Sequence, residues 1–159
     1  MERTISGMMG KGSVNHNTRA FLAKNVDKER SRDNVDFCHE DIKAVYHELF
    51  DEALERYNAK QKRSDRKIEN YYEKIRQGKQ EKLFYEVIFQ IGNRDDMNVR
   101  SEEGQLAKQI LSDFMADFQS RNPNLHVFSA HLHMDEETPH IHIDFVPVIT
   151  GSKRGLDTR

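Results

Sequence analysis

Cysteine is nearly missing from this chain. Cys38 is the only one, so an intrachain disulfide is impossible and a thiolate-built zinc site is excluded. A reducing cytoplasm is therefore the expected compartment. No apolar run approaches the ~18 residues of a membrane span, and the first 30 residues lack the apolar block of a secretory signal. Gly10-Lys11-Gly12-Ser13 lacks the spacing of a nucleotide-binding P-loop. There is no internal repeat and no low-complexity tract. Net charge is nearly absent too: 25 Lys+Arg against 27 Asp+Glu leave −2, which by itself argues against a general polyanion binder.

What is present is local. The 159 residues suit one domain (1–159). A mean hydropathy of −0.88 marks a highly charged chain, yet nine Phe and five Tyr allow a core. A basic helical segment at about 58–82 contains Lys60, Lys62, Arg63, Arg66 and Lys67, enough to hold a phosphate backbone while the whole stays acidic; a merely solvated helical face is the alternative. Apolar residues at three- and four-residue steps predict helices from about Glu40 to Lys62 and from Glu102 to Arg121, the second capped by Ser101. Shorter helices are expected from Asn17 through Ala20, Phe21 and Leu22, and over Asn70–Arg76. Strands are expected at Arg3–Met8, Asn34–Cys38, Leu83–Ile91, His126–His133 and His140–Val148. The fold class is thus α+β, a sheet of about five strands with helices packed on it.

The histidines are concentrated. Five of eight fall between positions 126 and 142. His140 and His142 leave one face of a strand about 6–7 Å apart, and a polar loop, Met134–Pro139, would fold His133 opposite them. Three neutral imidazoles can then converge on a cation and leave coordination positions open, as in a catalytic metal site. His131 shares the face of His133 by parity and is its alternative. His39 and His126 read as incidental, His47 as packing or rim. Glu136 lies in the loop over the site as ligand, orienting group or base; Asp135 reads as shaping the turn. Asp144 can accept a ligand histidine's second N–H.

His133-Met-Asp-Glu-Glu-Thr-Pro-His-Ile-His142 resembles the signature of the plasmid mobilisation/recombination (Mob/Pre, MobV-type) relaxases, His-x-Asp-Glu-x-Thr-Pro-His-x-His followed by a strand ending in Pro, here Pro147. His140-Ile141-His142 resembles the HUH element of rolling-circle and conjugative nickases. His16-Asn17-Thr18-Arg19 resembles the family's first motif, and Arg30-Ser31 with Asn34 its Arg-Ser-x-x-Asn segment.

The resemblance implies an antiparallel, HUH-relaxase-like sheet. It implies a relaxase, a site-specific endonuclease that nicks one strand at a plasmid transfer origin by transesterification and stays joined to the 5′ phosphate, serving plasmid mobilisation, recombination and conjugation in a bacterial cytoplasm. Its partners are then single-stranded or supercoiled origin DNA, with no membrane span. Its cofactor is Mn²⁺ or Mg²⁺ on His133, His140 and His142. His16 becomes the nucleophile, Glu136 a proton shuttle, and Arg19, one helical turn from His16, the neutraliser of the scissile phosphate. The rival nucleophiles are Tyr71, Tyr72 and Tyr85, with Tyr46 and Tyr57 in the core. Lys11, Arg30, Lys60, Lys62, Arg63, Arg66, Lys67, Lys153 and Arg154 are the expected DNA contacts. Family members continue into helical regions tied to dimerisation, so a shortened copy whose homodimer contacts lie outside this chain is expected. Two other readings stand: an origin-binding module without efficient nicking, and a metal-dependent phosphoesterase.

Overall fold

Alternation of apolar and polar side chains, broken by short polar turns, produces five strands in the computed structural model, which describes residues 3–20, 22–93 and 95–149. They are β1 (Ile5–Met9), β2 (Val35–His39), β3 (Tyr85–Ile91), β4 (Leu125–His133) and β5 (His140–Pro147), in the order β1-β3-β5-β4-β2 with every neighbouring pair antiparallel. The β4–β5 hairpin supplies the central strand, β5, and its neighbour β4. Its Met134–Pro139 loop sets the register His133↔His140 and His131↔His142.

Both faces of this hairpin are buried, unlike the half-wet sheet that simple alternation suggests. On one face Leu132, Ile141, Ile143 and Phe145 pack with Ala107, Leu111 and Met115 of helix α4 (Glu102–Ala116) and Phe118 of α5 (Phe118–Arg121). On the other, Phe128 and Val146 meet Val45, Tyr46 and Phe50 of α2 (Ile42–Ala59) and Tyr71 and Ile75 of α3 (Tyr71–Gln77). Each Val, Leu, Ile, Phe or Met among them, fully buried, contributes roughly 1.5–3 kcal/mol. Helices α2 and α3 cover only part of this face. The rest, carrying His133, His142, Asp144 and Glu86, is left for polar work.

Two helices depart from their expected spans. The helix expected to reach Arg121 stops at Ala116, because Asp117 is not helical, and α5 then turns. The turn lets Gln119 donate to the Leu125 carbonyl at 2.7 Å and accept from the Val127 amide at 2.9 Å, tying helix to strand. The helix expected to start at Asn17 instead ends there: α1 is Val14–Asn17, and residues 18–20 and 22 are not helical. Ser13 caps it by accepting from the His16 amide, and Arg19 adopts φ 59°, which reverses the chain. Phe21 lies outside the described residues, as do Lys153 and Arg154. Among the described residues no helix is long and apolar enough to cross a membrane.

Candidate active site

The hairpin brings three histidine rings together. The centroids of His133 and His142 are 4.8 Å apart, His140 and His142 5.0 Å, and His133 and His140 5.3 Å. Two of the rings have an outward acceptor that sets the tautomer. His133 Nε2 lies 2.8 Å from the Asn17 carbonyl, and His140 Nδ1 lies 2.8 Å from the Thr138 carbonyl. A carbonyl only accepts, so those nitrogens carry the protons and His133 Nδ1 and His140 Nε2 keep their lone pairs. His142 Nδ1 stands 3.3 Å from Glu86 Oε1, but neither of its ring nitrogens has a hydrogen-bond partner. His133 Nδ1 and His142 Nε2 are buried with no hydrogen-bond partner. Buried polar atoms are rarely left so, and lone pairs facing one another ask for a cation. Burial depresses the pKa of His133 to about 2, outweighing its bond to Asn17, with the positive charge of Arg19 and the neighbouring imidazoles adding to the fall. His140 is lowered as well, again mainly by burial. Burial thus favours the neutral form of His133 and His140, the form that can act as a ligand.

The tightest donor groups are not the expected trio. Nitrogens of His16, His133 and His142 lie within 4.8 Å of one another, as do the donor atoms of His133, Glu136 and His140. His133 is common to both, and His16 and Glu136 flank it. The arrangement is a mixed nitrogen–oxygen pocket, a donor set that suits a divalent cation such as Mn²⁺.

Behind His142 lies a second polar layer. Glu86 and Asp144 face each other across β3 and β5, both almost wholly buried. Asn17 Nδ2 donates to both, closely to Glu86 and at 3.1 Å to Asp144. Two buried carboxylates side by side cannot both ionise. Burial raises Asp144, and the adjacent Glu86 raises it further, whereas bonds from His142, Asp144 and Asn17 overcome burial and pull Glu86 down. Asp144 therefore holds the proton and Glu86 the charge. The expectation that Asp144 accepts from a ligand histidine is corrected: Glu86 faces His142 instead. Gly10 is required here, since a Cβ would collide with the Glu86 carboxylate.

Over the histidines sits the first motif. The His16 ring is 5.9 Å from the rings of both His133 and His142, and its Nε2 is 3.5 Å from Glu136 Oε1. Burial and the adjacent Arg19 cation lower the His16 pKa. Arg19 is not one helical turn from His16 in the way its spacing suggests. Its left-handed backbone swings the guanidinium back, so Nη1 donates to the His16 carbonyl at 3.0 Å and Nη2 meets Asp135 at 2.5 Å and Glu136 at 2.8 Å. Asp135 is fully buried and does more than shape the turn. It accepts from Arg19, from Ser31 Oγ at 2.7 Å and from Asn34 Nδ2 at 2.8 Å, while the Met134 amide donates to Asn34 Oδ1. These bonds overcome burial and hold its carboxyl well below the usual range. The Arg-Ser-x-x-Asn segment thus clamps the loop that carries Glu136.

The remaining candidates scatter. Tyr71, expected to be free, is buried against Phe50 in the α2–α3 core; Tyr72 is half-buried edge-on to Tyr46, and Tyr85 is half-buried against Phe145. His47, expected as packing or rim, is exposed and pairs with Asp51. The segment expected to be helical over about 58–82 is α-helical only up to Ala59 and over Tyr71–Gln77, with a short turn at Ser64–Arg66 between, because polar residues without apolar periodicity fill the connection; Lys60, Lys62, Arg63, Arg66 and Lys67 are exposed there, Lys11 is exposed before α1, and Arg30 is paired with Asp27 at 2.8 Å. Sequence reasoning missed Glu86 and gave Asn17 no task. One signal for Glu86 was there: a lone acid within an apolar strand.

The family model described as plasmid recombination enzyme matches residues 13–157. No curated protein matches the chain. Among solved structures, the MobM relaxase domain bound to 22 nucleotides of plasmid pMV158 oriT DNA, a Mn-bound crystal structure at pH 5.5, is similar at a TM-score of 0.52 with 21% identity, over 98% of this chain and 77% of that one. The same domain with a 22-nucleotide oriT DNA carrying a 3′ thiophosphate, Mn-bound at pH 6.8, gives 0.51 and 21%, over 96% of this chain and 76% of that one. Both share the five-stranded antiparallel sheet with helices found here.

Proposed function

Because the chain belongs to the plasmid recombination enzyme family, we propose that this relaxase nicks one strand of plasmid origin DNA in the bacterial cytoplasm and becomes covalently joined to the 5′ phosphate through His16. The supporting observation is the placement of the His16 ring 5.9 Å from His133 and from His142, with Glu136 beside it.

His133, His140 and His142 would hold a divalent cation, Mn²⁺ or Mg²⁺; the Mn-bound state of the similar relaxase domains favours the former. When bound, the cation supplies positive charge against the non-bridging oxygens of the scissile phosphate. A ring nitrogen of His16 attacks phosphorus. A P–N bond forms as the bond to the 3′ oxygen breaks, and its electron pair leaves with that oxygen, which takes up a proton as the 3′ hydroxyl. The imidazole proton made acidic by the new bond passes to Glu136, the carboxylate nearest the ring. Arg19 acts through its partners: with its guanidinium engaged by Asp135 and Glu136, it positions Glu136 and His16 rather than waiting as a free cation. Reversal of the same step religates the strand. Lys11, Arg30, Lys60, Lys62, Arg63, Arg66 and Lys67 are the proposed backbone contacts.

A second reading rests on the His16–His133–His142 group: His16 is itself a metal ligand. One experiment separates them. The protein is incubated with Mn²⁺ and single-stranded origin oligonucleotide, and the adduct is mapped by mass spectrometry. Attachment at His16, lost in His16→Ala while Mn²⁺ affinity persists, is the expected result. Attachment at Tyr72 or Tyr85 overturns the nucleophile, and loss of Mn²⁺ affinity in His16→Ala makes His16 a ligand. Binding of the correct origin without any adduct leaves an origin-binding module. Turnover of small phosphoesters without attachment, indifferent to His16→Ala, leaves a phosphoesterase.

A further inference from the structure

A second group of donors lies at the other end of β4. His126, Glu40 and Glu48 each offer one ligand atom, and these atoms lie within 4.8 Å of one another. His126 stands seven residues before His133, roughly 23 Å along the strand at ~3.3 Å per residue, so none of the chemistry proposed above reaches it. Three elements supply the group: Glu40 follows β2, Glu48 lies in the second turn of α2, and His126 opens β4 after Leu125. The Glu40 amide donates to the Phe128 carbonyl at 2.6 Å, which carries residue 40 toward the start of β4. Asp41 then caps α2 by accepting from the Ala44 amide at 3.2 Å. With the helix started there, Val45 and Leu49 pack inward and Glu48 stays at the exposed edge.

Two features separate this group from an ordinary patch of surface acids. The first is the imidazole. His126 Nε2 is shielded from solvent, has no hydrogen-bond partner and stands 3.7 Å from Glu40 Oε1. A sheltered polar atom without a partner is rare in a folded chain. The second is charge. The two carboxylates approach each other, and among the described residues no Lys or Arg ion-pairs with either. Two ligands held ~2.1 Å from one ion at a tetrahedral angle are about 3.4 Å apart. The His126–Glu40 pair is therefore almost at ligating distance, and the exposed Glu48 closes by a side-chain rotation. A cleft of about 470 Å³, lined in part by Phe37, Cys38, Glu40, Gln119 and His126, opens beside the group and lets an ion enter with its remaining water ligands.

We propose that His126, Glu40 and Glu48 form a second divalent-cation site, for an ion of the Zn²⁺ class, that fastens the start of α2 to the start of β4. One imidazole nitrogen and two carboxylates suit Zn²⁺, which such donors hold more tightly than Mn²⁺. The role is structural. The ion joins the β2–α2 junction, the helix and the strand at one point, and it replaces the repulsion of two facing carboxylates by attraction to a shared charge. The site stands independently of the relaxase reading, because none of its ligands belongs to the histidine pocket.

The test titrates the whole chelator-treated chain with Zn²⁺ by calorimetry, with backbone amide NMR signals reporting which residues respond. The expected result is two ions per chain, with the signals of residues 40, 48 and 126 shifting as well as those of 133–142. His126→Ala loses the second ion and the shifts at 40 and 48, while the signals of 133–142 still respond, which also establishes that the variant is folded. Glu48→Gln, an exposed change that leaves the packing alone, weakens the second site about tenfold or more. His133→Ala keeps the second site, and its unfolding midpoint rises as Zn²⁺ is added. A single ion in the parent, shifts confined to 133–142, or a second ion indifferent to both His126→Ala and Glu48→Gln overturns this site and leaves the histidine pocket untouched. A parent chain that takes up no ion at all overturns the site and the metal of the histidine pocket together.

Discussion

His131 and His133 leave β4 on the same face, two residues apart, 2% and 1% exposed, yet their chemistry is opposite. His131 is complete: Nδ1 meets Asp36 at 2.6 Å and Nε2 meets Ser129 Oγ at 2.9 Å. His133 has one nitrogen anchored on the Asn17 carbonyl and the other buried without a partner. The Asp36–His131–Ser129 chain has the connectivity of a hydrolytic triad, but Ser129 is 0% exposed and no substrate reaches it. It braces the edge strand β2 against β4. Parity brings a histidine to a face; what its second nitrogen meets decides whether it is a brace or a ligand.

The comparison breaks most decisively by deleting each ring. His133→Ala should lower Mn²⁺ affinity by ~100-fold or more, since even partners of ligands are worth 10–100-fold. His131→Ala should leave Mn²⁺ affinity intact and cost ~1–3 kcal/mol of stability, because Ser129 loses its buried partner. Titration calorimetry and urea unfolding read the two effects. If His131→Ala also abolishes metal binding, the division between brace and ligand is wrong.

Next in size is the clamp that joins the front of the chain to the hairpin loop. Asp135→Asn keeps the shape but leaves the mostly buried Arg19 facing one carboxylate instead of two and disturbs the Ser31 and Asn34 bonds. Breaking a buried ion pair costs ~3–5 kcal/mol, and His16 should lose its place. Expected are a lowered urea midpoint and a slower adduct-forming step with Mn²⁺ affinity largely kept. An unchanged midpoint would show that the clamp carries no load.

Much of the hairpin was legible because its signals are local: alternation fixes the faces, the polar Met134–Pro139 loop fixes the register, and three histidines then have only one place to meet. The front of the chain was less so. The position of α1 depends on the Ser13 cap and on Asn17 being pinned to Glu86, a contact 69 residues away, which no periodicity reports. Arg19 reads as a helical neighbour of His16 until its backbone is known to be left-handed. Glu86 and Asp144 become intelligible only as a pair sharing a proton, and pairing across β3 and β5 is a tertiary fact. The family motifs pointed to His16, Arg19 and Glu136 together, but the reason they belong together, Asp135 as their anchor, came from the fold.

A smaller effect sharpens the contrast through pH. Burial first, with Arg19 and the other rings assisting, holds the folded His133 pKa near about 2, whereas an unfolded histidine titrates near ~6.5. Between these values the unfolded chain binds the additional proton, so the stability of metal-free protein falls as pH drops below about 6.5. Asp144, raised in the fold by burial and by Glu86, contributes the opposite slope, its share being lost as pH rises. Thermal unfolding of chelator-treated protein between about pH 4.5 and 7.5 should therefore show a shallower acid-side loss in His133→Asn than in the parent. Asp144→Asn, which mimics the protonated carboxyl, should gain stability toward alkaline pH. Equal slopes in parent and His133→Asn would mean that the ring is already charged in the fold.

The smallest expected effect concerns the basic α2–α3 connection, where the comparison is between charge that acts at a distance and charge built into the fold. Arg63 pairs with Asp65 at 2.6 Å, but both are more than half exposed, and such pairs contribute ~0–1 kcal/mol. Lys62→Ala and Arg66→Ala should each move the unfolding midpoint negligibly, since surface substitutions of this kind stay within about ±0.5 kcal/mol. If these residues touch phosphates, each substitution should instead reduce the slope of log affinity against log salt by ~0.7–0.9 on origin DNA, uniformly across sequences. An unchanged slope in both variants would remove the connection from the DNA path and leave it as solvated surface charge.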